Sequence, residues 1–131
     1  MLQGTYEIQI LLGEQPFPTP VPYEGADNVE IHKIDEKRAP GTTFTHWLTF
    51  TKTETGWHGV HQTELSKQVM DELQVGENAV SWKAYSGSEG VDLWQYTMVF
   101  NEVTGDTAGV CFGMNPCFRG YIVFSGKKIS D

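Results

Sequence analysis

His46 stands in the middle of TTFTHWLTFT, residues 42–51, and is the discordant residue there. Phe44, His46, Leu48 and Phe50 alternate with Thr43, Thr45, Trp47, Thr49 and Thr51. Period-two alternation of this kind marks a strand with one apolar face. An imidazole on that face must find partners for both ring nitrogens or cost about 1–3 kcal/mol. In a filled core a neighbouring threonine, tyrosine or carboxylate would supply them. Facing a cavity, the same ring would orient a ligand or carry protons near neutral pH.

WHGVHQTE, residues 57–64, adds His58, His61 and Glu64. On a helix, the three-residue spacing would put both imidazoles on one face. On a strand it puts them on opposite faces, and Trp57 and Val60 flanking Gly59 favour a strand. His58 and His61 therefore do not form a metal pair, and no metal or other cofactor is expected. One of the two could still join His46 in a cavity; Trp57, Gly59 and His61 share a face, and Gly59 would allow close approach of a ligand or ring. Trp82, Trp94 and Tyr96 are the aromatic candidates: facing inward, they would line a pocket for a planar or apolar ligand, or make a plain aromatic core. Asp92 shares a face with Trp94 and Tyr96 and reads as a rim residue. The acid/base candidates are His46 and Tyr96. No phosphate-binding loop, nucleophile elbow, or Ser/His/Asp or Cys/His signature is present.

The elements that must position these residues are short and mostly β. TYEIQILL (5–12) places Tyr6, Ile8, Ile10 and Leu12 on one face. GEQPFPTPVPYEGADN (13–28) carries four prolines and reads as a long loop that packs over one end of the core, or as a lid. NVEIHKI (28–34), the stretch around His46, and WHGVHQT (57–63) follow as strands. In TELSKQVMDELQVG (63–76), Leu65, Val69 and Leu73 recur at helical spacing, with Thr63 as N-cap and Gly76 as stop, so a short helix is expected over 64–73. NAVSWKAYS (78–86), VDLWQYTMVF (91–100), TAGVCFGM and CFRGYIVFSG complete the strands, and KKISD is a polar tail. About eight hairpin-linked strands in one domain, 1–131, favour an antiparallel up-and-down barrel. Such a barrel is just wide enough to fill with side chains or to hold one small ligand.

Net charge is −8, and no Lys/Arg cluster appears, which argues against nucleic acid and anionic membranes as partners. No apolar run approaches the roughly 18 residues of a membrane span, and MLQGTYEIQI lacks the pattern of a signal peptide, so the chain reads as cytoplasmic. Cys111 and Cys117 in GVCFGMNPCFRG would face each other if the hairpin were centred near Met114, allowing a cross-strand disulfide; in a reducing compartment they would stay thiols.

GTYEIQI (4–10), VSWKAYSGSEGVDLWQYTMVF (80–100) and CFRGYIVFSGKK (117–128) resemble segments of calycin (lipocalin-like and avidin-like) barrels, with Tyr6 where the typical opening has tryptophan. Arg119 lies where lipocalins often carry an arginine that closes the barrel base. The resemblance implies a barrel with a small-molecule cavity and leaves the ligand open. The leading expectation is binding of a small apolar or aromatic molecule, with Phe44, His46, Trp82, Trp94 and Tyr96 lining the mouth and Trp57, His61 and Arg119 nearby. The alternatives are a barrel isomerase, cyclase or lyase using His46 or Tyr96, and a filled-barrel interaction module. Trp47, among threonines on the outward face, points to the module or to a homodimer.

Overall fold

The computed structural model describes residues 1–11, 43–64, 66–86, 92–113 and 121–131. The alternating stretches become nine strands: β1 (Gly4–Leu11), β2 (Thr43–Thr53), β3 (Gly56–Gln62), β4 (Lys67–Val69), β5 (Asp71–Val75), β6 (Ala79–Ser86), β7 (Asp92–Phe100), β8 (Asp106–Gly113) and β9 (Tyr121–Ser130). They form one antiparallel sheet in the order β4-β3-β2-β1-β9-β8-β7-β6-β5. Apart from β4 and β5, each strand lies beside its neighbour in sequence, and β9 returns to β1. The two ends of that order, β4 and β5, are one run of chain interrupted at Met70, so the sheet curls into a nearly closed barrel. The count is nine strands against the expected eight, and β4 and β5 stand where a helix was expected.

Two links draw the seam together. The Met70 N–H donates to the Gly59 carbonyl at 2.9 Å. Gln68 on β4 uses its side-chain amide as a substitute peptide group toward β6. The Tyr85 N–H donates to Gln68 Oε1 at 2.6 Å, and Gln68 Nε2 donates to the Tyr85 carbonyl.

The helix expected over 64–73 does not form; the described residues there build β4 and β5. A bulge explains the misreading. Asp71 lies opposite Lys83 and Gln74 opposite Ser81, so three steps on β5 (71 to 74) answer two on β6 (83 to 81). Glu72, at φ 50, takes up the extra residue. Buried Met70 is therefore followed three residues later by half-buried Leu73, which copies a helical period although each half alternates. At the other boundary, β9 runs on through most of the supposed polar tail. Lys127 lies between Glu7 on β1 and Asp106 on β8, opposite charges that suit an outward cross-strand position. Among the described residues there is no helix, and so none long and apolar enough to cross a membrane.

Rings fill the middle of the barrel. Tyr6 meets Phe50 edge-on at 5.9 Å, and Phe50 meets Trp82 edge-on at 5.7 Å. Trp82 stacks on Tyr96 at 5.3 Å with the planes 2° apart, and Tyr96 reaches Phe124 at 6.2 Å. Gly109, opposite Phe124, makes room for that ring: a Cβ there would lie 2.4 Å from Phe124 Cζ and 2.3 Å from the Thr97 carbonyl oxygen.

The strand directions bring the end of β1, the start of β2 and the ends of β3, β6 and β8 to one end of the barrel. Residues 12–42, 65, 87–91 and 114–120 are not among the described residues. The expected loop 13–28 and strand 28–34 lie outside the described residues.

Candidate functional site

Three strands deliver three side chains to one point inside this end. Strand β2 brings His46, β3 brings His61 and β6 brings Trp82. The indole N–H of Trp82 donates to His61 Nδ1 at 3.0 Å. His61 Nε2 lies 2.9 Å from His46 Nδ1. Indole nitrogen is a donor only, so His61 Nδ1 must be the acceptor and the proton of His61 sits on Nε2. His61 then donates to His46 Nδ1, and the proton of His46 sits on its own Nε2. One tryptophan at the inner end thus orders two imidazoles into a chain of fixed direction. His46 is its half-buried outer end, and among the described residues nothing bonds its Nε2.

The surroundings keep both rings uncharged. Burial pulls the pKa of His46 down to about 4. Burial, and then the neighbouring His46, pull that of His61 down to about 3. The hydrogen bonds act the same way, because charging either ring at Nδ1 would break the bond that Nδ1 accepts. Packing fixes the orientation: His61 is 4.7 Å from the Tyr96 ring and 6.0 Å from Trp82, and His46 lies 5.0 Å from His61 at 68°.

His46, His61, Trp82 and Tyr96 are therefore one contact group. Phe44, half-buried, is the next inward residue on β2 toward the same end, and Trp94, buried, is the next on β7. Trp57 shares the inward face of β3 with His61 but sits roughly 13 Å away at about 3.3 Å per residue. Its ring carries Lys52 Nζ at 5.2 Å from the centroid, at the opposite end of the barrel. Arg119 lies outside the described residues, and Asp92 opens β7. Among the described residues no three of His, Cys, Asp or Glu converge as a metal set.

The hairpin is not centred near Met114, the condition under which the two cysteines would face each other. Phe112 pairs with Tyr121 and Cys111 with Ile122, which puts the midpoint between residues 116 and 117 and not at Met114. Ile122 therefore stands opposite Cys111; Cys117 lies outside the described residues. Cys111 is a buried free thiol with its pKa pushed up to about 12 by burial.

An open groove of about 540 Å³ runs along the β7–β8 turn at the far end, lined by Asn101, Glu102 and Asp106 among others. Its polar groups serve the turn and the terminus. Asn101 Oδ1 accepts from the Val103 and Thr104 amides, and Glu102 pairs with the terminal amine at 3.5 Å.

The partner chemistry of His46 was the part that sequence reasoning missed. Threonine, tyrosine or carboxylate partners were expected in a filled core and a second histidine only as a neighbour in a cavity; the direct bond to His61 and the tryptophan behind it are found. Alternation placed each of the three residues on an inward face, but β6 comes near β3 and β2 only when the sheet closes at the β4/β5 seam, and no local spacing encodes that. Comparison of the chain with protein-family models, with curated proteins and with solved structures returns no match.

Proposed function

We propose that this chain is a calycin-like barrel that binds a small, largely apolar or aromatic molecule at the end where Phe44 and His46 lie. One observation carries the reading. A buried polar chain assembled from three strands ends in a half-buried imidazole whose outer nitrogen has no hydrogen-bond partner among the described residues. A polar chain meant only for stability would close on itself, because each unpaired polar group near the core costs about 1–3 kcal/mol. The test is native mass spectrometry of freshly purified protein against its denatured mass, followed by thermal-shift screening of aromatic compounds. An added mass lost on denaturation, or stabilisation by members of the screen, is expected. A bare mass together with no stabilisation would overturn the reading.

The catalytic alternative asks His46 or Tyr96 to move a proton. With its Nδ1 engaged and its proton on Nε2, His46 has no lone pair to offer as a base at neutral pH, which favours binding over turnover. An interaction module is favoured by a different observation. Leu11, Val110, Phe112, Tyr121 and Val123 are exposed side by side on β1, β8 and β9, with Tyr121 70 % exposed. Patches of this kind often mark protein contacts. Sedimentation velocity decides that point: a dimer lost on Tyr121→Lys would support it, and a monomer at all concentrations would remove it.

A further inference from the structure

We infer that the ligand is recognised through an uncharged hydrogen-bond acceptor, a carbonyl-type oxygen on an apolar or aromatic body, which receives the Nε2–H of His46. The inference rests on the binding reading above and adds the chemical class of the ligand. Its basis is the direction of the chain. Trp82 Nε1 can only donate, so His61 Nδ1 accepts; His61 Nε2 donates, so His46 Nδ1 accepts. The outer nitrogen is left with a proton and without a lone pair. It can serve an oxygen acceptor, but it cannot receive a hydroxyl or amine proton or ligate a metal ion without reversal of the whole chain. Trp82 blocks that reversal from a position where its own side chain is fully buried.

Charge decides between a neutral and an anionic acceptor. A carboxylate would call for a cation or for a charged imidazole. Charging His46 would need a proton on Nδ1, where the His61 N–H already points. The chain as a whole carries −8, which further disfavours anions. Phe44 on the same strand face and Trp94 beyond Tyr96 supply apolar surface for the body of the ligand.

Two measurements on the wild-type protein test this. In the first, ¹⁵N-histidine spectra at neutral pH report the tautomers. Both His46 and His61 are expected as Nε2–H forms; an Nδ1–H form or a cation at His46 overturns the inference. The second compares 2-acetylnaphthalene with 2-isopropenylnaphthalene, which replaces the carbonyl oxygen by a methylene of similar shape. The ketone is expected to bind roughly three- to tenfold tighter, the worth of one net hydrogen bond. Equal affinity overturns the acceptor inference and leaves the binding reading standing, whereas binding of neither overturns both. Trp82 acts here as a positioning residue. Trp82→Phe frees His61 Nδ1, so the ketone preference should fall toward one, 2-naphthol should gain, and the His46 tautomer should mix. A Trp82→Phe protein that keeps the full preference and a single tautomer would remove Trp82 from the account. Should that variant not fold, the two wild-type measurements still decide the matter.

Discussion

Acid is expected to unfold this protein through its histidine pair well before either folded imidazole takes a proton. The pKa of His46 is about 4 and that of His61 about 3, against an ordinary value of 6.5. Both are depressed in the folded state, so as pH falls below about 6.5 the unfolded chain takes up protons that the folded chain refuses. Stability from this source is complete above about pH 6.5, declines below it, and stops declining only once the folded values are passed. At pH 5, about 1.5 units below the ordinary value, each histidine costs the fold about 2 kcal/mol, and the pair about 4 kcal/mol. The limiting slope for two protons is about 2.7 kcal/mol per pH unit. Urea denaturation at pH 8, 6.5, 5.5 and 5 measures it. His46→Gln keeps an acceptor for the His61 N–H and removes one titrating ring, so comparing wild type with this variant cancels contributions from other groups. The variant should lose about half the slope. An identical slope in the two proteins between pH 6.5 and 5 would refute the reasoning.

Four further outcomes follow from the packing. Trp82→Phe leaves a buried imidazole nitrogen without a donor and a gap beside Tyr96, and should lower stability by about 2–4 kcal/mol in the same denaturation assay. Gly109→Ala drives a methyl into the Thr97 carbonyl and the Phe124 ring and should cost about 1–3 kcal/mol, seen as a lower Tm. Gln68→Ala removes both side-chain bonds across the β4–β6 seam; hydrogen exchange at the Tyr85 amide should accelerate, with about 1–2 kcal/mol lost. Cys111, 2 % exposed and with its pKa pushed up to about 12, should resist disulfide reagents at neutral pH until the protein is unfolded by denaturant.

The barrel was legible because its signal is local. Phe44, Leu48 and Phe50, or Trp82 and Ala84, alternate within a single strand, and a half-buried strand needs nothing else to be recognised. The seam was not legible, because the bulge at Glu72 changes which residues face inward in mid-strand and gives Met70 and Leu73 a helical interval. The cysteine register was open in the sequence for a related reason: the turn between β8 and β9 is placed by pairing, not by symmetry about the two cysteines. His46 stood out by type, and His61 by sharing a face with Trp57 and Gly59. What the sequence could not reveal was the partner set, since Trp82 reaches His61 only when the sheet closes and β6 and β3 come to flank the β4/β5 seam. Trp57 shows the opposite failure. Its face was read correctly, yet its position near the β2–β3 turn carries it to the other end, away from the histidines.

The central claim is that a neutral acceptor ligand sits against His46, and ring signals of ¹³C-histidine protein followed during titration with 2-acetylnaphthalene test it most directly. The account predicts a saturable shift of the His46 ring, a smaller one at His61 behind it, and none at the exposed His58. An unmoved His46, or a His58 that moves as much, would contradict it.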